Sequence, residues 1–282
     1  MADRDLPATS PRARTRVRAP APPRRLGPPP ELHEGCALFL DIDGTLLELA
    51  PTPDSVRVDA RISALLPALA QRLDGAVALI TGRSMADADS LFRGLSLPLA
   101  GQHGLERRAA DGSLHRHLPS FAGLERLRRD LTEFVAQHDG LMLEDKGATL
   151  ALHYRLAPRL ASHVHRTLRA HLASALANEA GWGLQPGKGV LEVKPDGRDK
   201  GTVIIEYMEE APFASRLPVF VGDDKTDEYG FVAVTVAGGW AVKVGRGATN
   251  ANFRLANVAA VRKWLSALVL GANDKKRKSH AA

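Results

Sequence analysis

The sequence predicts an α/β protein, a Rossmann-like parallel sheet core with an inserted α+β cap domain, and three observations carry that prediction. Short apolar runs alternate with helical stretches from residue 34 to about 107, hairpin signals interrupt the rhythm over about 108–190, and the alternation resumes over 191–270. A β-α-β-α-β rhythm implies a parallel sheet with right-handed crossovers, whereas hairpins flanked by helices imply a small α+β unit. With 282 residues the chain has room for both. Aromatic residues make up only 5%, so the apolar content is aliphatic and suits helices packed on a sheet better than an all-β sandwich.

Each element has its own signal. Ala37–Leu40 is an apolar strand that ends on Asp41. Residues 59–73 repeat apolar side chains at helical spacing, and Gly75 is a stop. Ala76–Ile80 is a second strand, followed by Thr81-Gly82-Arg83 and by Ser84, an N-cap for a helix to about Arg93. Leu97–Ala100 begins a third strand. Asp111-Gly112 is a turn between strands at 105–109 and 114–118. A helix over 121–137, strands at 141–144 and 149–155, a helix over 158–178 opened by Pro158, and short strands at 183–185 and 190–193 complete the insert. The core then continues with a helix over 199–210, a strand over 218–222 ending on Asp223-Asp224, a strand over 240–244 and a last helix over 258–270.

The net charge of +6 sits in the two ends. Residues 1–30 carry +5 and residues 271–282 carry +3, leaving −2 for residues 31–270. The basicity therefore says little about what the folded body binds. Residues 1–33, rich in Pro and Arg, read as a disordered tail, and residues 271–282 as a second basic tail. No apolar run approaches the ~20 residues that span a bilayer. No apolar segment follows Arg24-Arg25 to make a signal peptide, and eight prolines oppose a transit helix. The expectation is a cytoplasmic protein with a small-molecule partner, no nucleic acid and no membrane; oligomeric state is left open. Cys36 is the single cysteine, which excludes an intramolecular disulfide and a cysteine-rich zinc site.

The candidate chemistry lies where strands end. Alternation lets Asp41 and Asp43 project to one side, Gly44 permits a sharp exit, and ligands in open α/β sheets collect beyond the carboxyl ends of strands. Thr81 ends a second strand, Asp223 and Asp224 a third, and Lys200 opens a helix, an electrostatically poor place for a cation unless it has work there. A phosphate ester dianion repels a carboxylate nucleophile, so a hard cation such as Mg²⁺ must neutralise it, and carboxylates suit that ion. In this reading Asp41 attacks phosphorus, and Asp43 protonates the leaving oxygen and then deprotonates water. Lys200 and Thr81 hold phosphoryl oxygens. Asp41 and Asp223 are metal ligands together with Asp43, through its carbonyl; Asp224 joins them or, like Asp227, orients Lys200 or metal waters.

The segments Asp41-Ile42-Asp43-Gly44-Thr45, Thr81-Gly82-Arg83, Lys200 and Gly222-Asp223-Asp224-Lys225-Thr226-Asp227-Glu228 resemble the four motifs of the haloacid-dehalogenase-like hydrolase superfamily. The second aspartate is similar to its phosphatases and phosphomutases rather than to its dehalogenases. Further segments resemble the trehalose-6-phosphate phosphatases: Gly101-Gln102-His103-Gly104-Leu105-Glu106, Glu144-Asp145-Lys146-Gly147 with His153-Tyr154-Arg155, and Gly187-Lys188 with Leu191-Glu192-Val193-Lys194-Pro195. The resemblance covers about 35–270. It implies a Mg²⁺-dependent hydrolysis of trehalose 6-phosphate beneath an α/β cap. It also implies a substrate-binding set of Asp41, Asp43, Gly44, Gly101, His103, Lys146, His153, Arg155, Lys188 and Glu192.

Plainer readings stand beside these. Thr81 could only cap a helix, His103 could only form a turn, and strand alternation admits either His153 with Arg155 or Tyr154 to the cleft. Trp182, Trp240 and Trp264 read as packing residues, and His163, His165 and His171 as non-ligands. Another phosphatase or phosphomutase of the superfamily, or a catalytically silent sugar-phosphate sensor, are the competing functions.

Overall fold

The computed structural model describes residues 26–52, 55–117, 123–175 and 181–279. Its core is an eight-stranded sheet in the order β12-β11-β10-β1-β2-β3-β4-β5. The strands are β1 (Cys36–Leu40), β2 (Val77–Ile80), β3 (Leu99–Gly101), β4 (Glu106–Arg108), β5 (Leu114–Arg116), β10 (Leu217–Gly222), β11 (Trp240–Val244) and β12 (Phe253–Leu255). All neighbouring pairs from β12 to β3 are parallel, and the β3-β4-β5 edge is antiparallel. The central strands β1, β2 and, but for its first residue, β10 are buried along their length. That burial explains their unbroken apolar runs, since both faces of a parallel sheet are covered by helices.

Core helices are α1 (Ala60–Arg72), α2 (Met85–Leu91), α5 (Lys200–Met208), α6 (Asp227–Val236) and α7 (Val258–Ser279). The Asp59 carboxylate caps α1 by accepting from the amides of Arg61 and Ile62, and Ser84 Oγ caps α2 from Asp87. Strand order reverses at β1: β2 and β3 lie to one side, β10 to β12 to the other. The crevice beyond the ends of β1 and β10 is therefore the switch point, where α/β sheets bind ligands.

The cap is a four-stranded antiparallel sheet, β6-β7-β9-β8, made from β6 (Met142–Asp145), β7 (Leu150–His153), β8 (Trp182–Gly187) and β9 (Val190–Pro195). Helices α3 (Leu124–Ala136) and α4 (Ala161–Ala175) flank it, and Leu127, Leu131, Val164 and Leu168 form a second apolar core with Leu152 and Val193.

Sheet membership moves the expected boundaries. The hairpin β4–β5 extends the core sheet, because β4 pairs with β3, whereas β9 pairs with β7 and β8 and so belongs to the cap. The part of the expected N-terminal tail that is described, 26–33, lies against the core: Gly27 accepts from the Arg254 amide, Trp264 Nε1 donates to Pro30, and Leu32 is buried. The rest of that tail, 1–25, lies outside the described residues. Helix α7 runs on to Ser279, past the expected end at Leu270, through Ala, Lys and Arg residues that favour helix. Helix α6 and strand β12 were not predicted. Among the described residues no helix is long and apolar enough to cross a membrane.

Candidate active site

At the switch point Asp41 follows β1 directly, its amide bonded to Val221 of β10, and Asp223 follows β10 directly. Lys200, the first residue of α5, reaches both Asp41 Oδ1 and Asp227 Oδ1 at 2.6 Å. A capping box of Asp199 and Thr202 fixes the start of that helix. The cation that a helix N-terminus disfavours is held there by two carboxylates, all three groups being buried. Burial weakens the Lys200 charge, but Asp227 and Asp41 outweigh it and raise its pKa.

Asp227 Oδ2 accepts the amides of Asp223 and Asp224, both at 2.8 Å, so both its oxygens are spent on Lys200 and on shaping the acid loop. Gly44, at φ 84°, passes so close to Asp223 that a Cβ would enter its carboxylate. Lys243 of β11 donates from beneath to the backbone carbonyls of Asp223 and Asp224.

The carboxylates of Asp41, Asp223 and Asp227 bring oxygens within 4.8 Å of one another. Burial pushes the Asp41 carboxyl well above the usual carboxylate range, with Lys200 opposing and the charges of Asp227 and Asp223 adding. Asp223 is also raised, by burial first, against Lys188 and with Asp227 and Asp224. A hard cation would relieve both, so the donor chemistry fits Mg²⁺. The cluster differs from the expected quartet of Asp41, Asp43, Asp223 and Asp224. Both Asp43 oxygens are taken by Arg83, Nε and a terminal nitrogen each at 2.7 Å, which leaves only its backbone carbonyl for a metal. Asp224 stands outside the cluster, on the cleft wall by Gly187.

A cleft of about 170 Å³ opens above these groups, and Asp41, Asp43, Thr81, His103, Lys146, His153, Arg155, Lys188, Glu192 and Lys200 all line it. Gly44 and Gly101 do not. Gly44 admits Asp223, and Gly101 lies where a Cβ would meet the Met85 amide at 2.7 Å, so both serve close packing. Thr81 Oγ1 accepts the Arg83 amide at 3.1 Å, while Ser84 caps the helix that follows.

The cap side is a buried ionic cluster centred on Glu192. Its Oε1 accepts from Lys146 at 3.1 Å and Thr149 at 2.7 Å, and its Oε2 lies 3.1 Å from His103 Nε2. Lys146 also donates to the Gly82 carbonyl at 2.7 Å, so the cluster stitches cap to core. Burial alone would raise Glu192, but the Lys146 charge, His103 and the Thr149 hydroxyl hold it well below the usual range. Burial lowers His103, which holds a positive φ of 57° and packs on Gly82, where a Cβ would collide with its ring.

Strand alternation resolves as His153 and Arg155 in the cleft. His153 pairs with Glu144 at 2.7 Å, Arg155 donates to the carbonyls of Ala50 and Lys188, and Tyr154 turns to His165. Lys188, at the tip of the β8–β9 hairpin, contacts the Asp223 carboxylate across the cleft. The three tryptophans and His163, His165 and His171 are not cleft residues.

Sequence reasoning quoted Glu144 and Arg83 within motifs without giving them a role, and missed Lys243. Glu144 and Lys146 are two apart at the end of a strand, so alternation could have paired them, with Asp145 facing away to Arg128. No local signal marks Lys243, which acts from the neighbouring strand, where it pairs with Gly222 of β10.

The profile of the family described as Trehalose-phosphatase matches residues 39–259. The chain is 44% identical over 253 residues to the trehalose-6-phosphate phosphatase of Escherichia coli K12, covering 89% of this chain and 93% of that one. It is 41% identical over 236 residues to a probable trehalose-phosphate phosphatase of Sinorhizobium fredii, covering 83% and 88%. A solved structure of a trehalose-6-phosphate phosphatase related protein superimposes with a TM-score of 0.68 at 28% identity, covering 84% of this chain and 99% of that one. The C-terminal domain of the Candida albicans enzyme superimposes at 0.74 with 20% identity, over 83% and 91%, a likeness of fold. The chain therefore belongs to the trehalose-phosphatase family, whose members are phosphoric monoester hydrolases.

Proposed function

We propose that the chain hydrolyses trehalose 6-phosphate to trehalose and phosphate, with Mg²⁺ as cofactor and Asp41 as nucleophile. The observation that carries this reading is the position of Asp41: at the switch point, gripped by Lys200, and facing a cleft roofed by the polar residues of the cap. The carboxylates of Asp41 and Asp223 and the carbonyl of Asp43 would hold the ion, which supplies charge neutralisation between nucleophile and phosphate.

An Asp41 oxygen forms the new bond to phosphorus as the bond from phosphorus to the sugar oxygen breaks. Asp43 gives that oxygen its proton, and the aspartyl-phosphate remains on Asp41. Water then attacks the phosphorus of that acyl phosphate as its bond to the Asp41 oxygen breaks, Asp43 takes the water's proton, and phosphate leaves with Asp41 regenerated. The Lys200 ammonium and the Thr81 hydroxyl stabilise the equatorial oxygens, and Asp227 keeps Lys200 aimed. Glu144, Lys146, His153, Arg155, Lys188 and Glu192 offer both donors and acceptors to the cleft, the chemistry needed for a polyhydroxylated disaccharide.

A panel of trehalose, sucrose, mannose and glucose phosphates with phosphate detection tests the assignment. The expected result is a kcat/KM for trehalose 6-phosphate about 100-fold above the others. Equal rates across the panel, or conversion to an isomeric sugar phosphate with no free phosphate, would overturn it.

A further inference from the structure

The mechanism above needs Asp43 to face the leaving oxygen, yet both its carboxylate oxygens are gripped by Arg83 in a two-pronged pair, each contact 2.7 Å. Such a fork fixes direction as well as charge. The Arg83 side chain is mostly buried, and its own backbone is pinned: its amide donates to Thr81 Oγ1 at 3.1 Å and its carbonyl accepts from Gln102 at 2.7 Å. The neighbouring carbonyl, that of Gly82, takes the cap's Lys146. Arg83 and Glu144 of β6, on the cap, line the same cleft. Arg83 therefore stands on the seam between core and cap, next in sequence to the Gly82 carbonyl that holds the cap's Lys146.

We infer that Arg83 is a positioning residue that sets the orientation of Asp43 for proton transfer and ties that orientation to the seating of the cap. The inference rests on the phosphatase reading with Asp43 as acid and base. Arg83 acts on the leaving oxygen and on the attacking water through Asp43, and it need not touch the phosphate. Removing the fork leaves Asp43 free to turn, which harms only steps in which Asp43 moves a proton.

The leaving group separates this role from a structural one. A sugar alkoxide must be protonated as it departs, whereas 4-nitrophenolate departs without a proton. The experiment compares wild type, Arg83→Met and Arg83→Lys with Mg²⁺, using trehalose 6-phosphate in steady state and 4-nitrophenyl phosphate in a rapid-mixing burst. The expected result for Arg83→Met is a fall of about 30-fold or more in kcat on the sugar phosphate. Its nitrophenolate burst keeps its rate within about threefold, because the leaving group needs no acid, and only the following steady phase slows. Arg83→Lys restores the charge without the fork and recovers the sugar-phosphate rate by less than about tenfold. An equal loss of burst and sugar-phosphate turnover in Arg83→Met would overturn the inference, as would wild-type turnover in that variant. The circular dichroism melt of each variant shows whether it is folded; if Arg83→Met is not, Arg83→Lys alone decides by the same split. Loss of the burst in Asp41→Asn checks the underlying reading: a burst that survives there would sink the nucleophile assignment itself, whatever Arg83 does.

Discussion

The two sides of the cleft handle buried charge in opposite ways. At the ends of β1 and β10, Asp41 and Asp223 are pushed above the ordinary carboxylate range, because burial and the charges of neighbouring aspartates, Asp227 first among them, exceed what Lys200 and Lys188 return. Across the seam, Glu192 is as buried but held far below that range, since Lys146, His103 and Thr149 satisfy it. The core side is short of positive charge and is suited to take up a cation and a phosphoryl group. The cap side is already balanced and is suited to hold a neutral, hydroxyl-rich ligand without moving. One half of the site is poised for chemistry and the other for recognition.

The harshest way to break the comparison is Asp41→Asn. Turnover should fall by about 10⁴-fold or more, measured as phosphate release, since the amide is no nucleophile. Chelation comes next. Excess chelator should bring phosphate release to background and added Mg²⁺ should restore it; full activity in chelator would remove the metal. The ion should also raise the unfolding midpoint of wild type, but not of Asp223→Asn, as binding to the folded state requires.

Glu192→Gln sharpens the other side. It strands Lys146 in a buried site, so unfolding in urea should show a loss of about 3 kcal/mol. KM should rise about tenfold or more while the Mg²⁺-induced midpoint shift stays as in wild type. If that shift vanished too, the division between the two halves would be wrong.

The smallest effect concerns His103, whose pKa burial lowers in the folded state. Below about pH 6.5 the unfolded chain takes up a proton there that the folded chain refuses. Stability must therefore fall as pH drops through that value toward the folded pKa. Asn tolerates the positive φ at this position, so His103→Asn should fold. Its stability should fall less steeply than wild type between pH 7 and pH 5.5, by about 1 kcal/mol per pH unit.

The core was largely legible because strands buried on both faces advertise themselves, and because Asp41, Thr81 and Asp223 fall at their ends. Helix α6 was not legible. Its exposed face carries Tyr229, Val232 and Val236 opposite buried Phe231 and Val234, so no polar stripe marks the helical period. The cap was legible as a topology, but its site residues were named only through the family resemblance and their pairing was not legible. Lys146, His103 and Glu192 come from a turn, a strained loop and a strand that are far apart in sequence, and only the tertiary fold joins them. Asp43 shows the same limit at the core: its place after β1 was readable, its grip by Arg83, 40 residues away, was not.

The central claim is a covalent phosphoryl group on Asp41, and the most direct measurement is acid-quench mass spectrometry of Asp43→Asn mixed with Mg²⁺ and 4-nitrophenyl phosphate, whose leaving group departs without an acid. Without its base the variant should accumulate a phosphoryl adduct on the peptide containing Asp41, absent from the Asp41→Asn protein. Steady release of phosphate at the wild-type rate with no adduct, or an adduct on any other residue, would contradict the account.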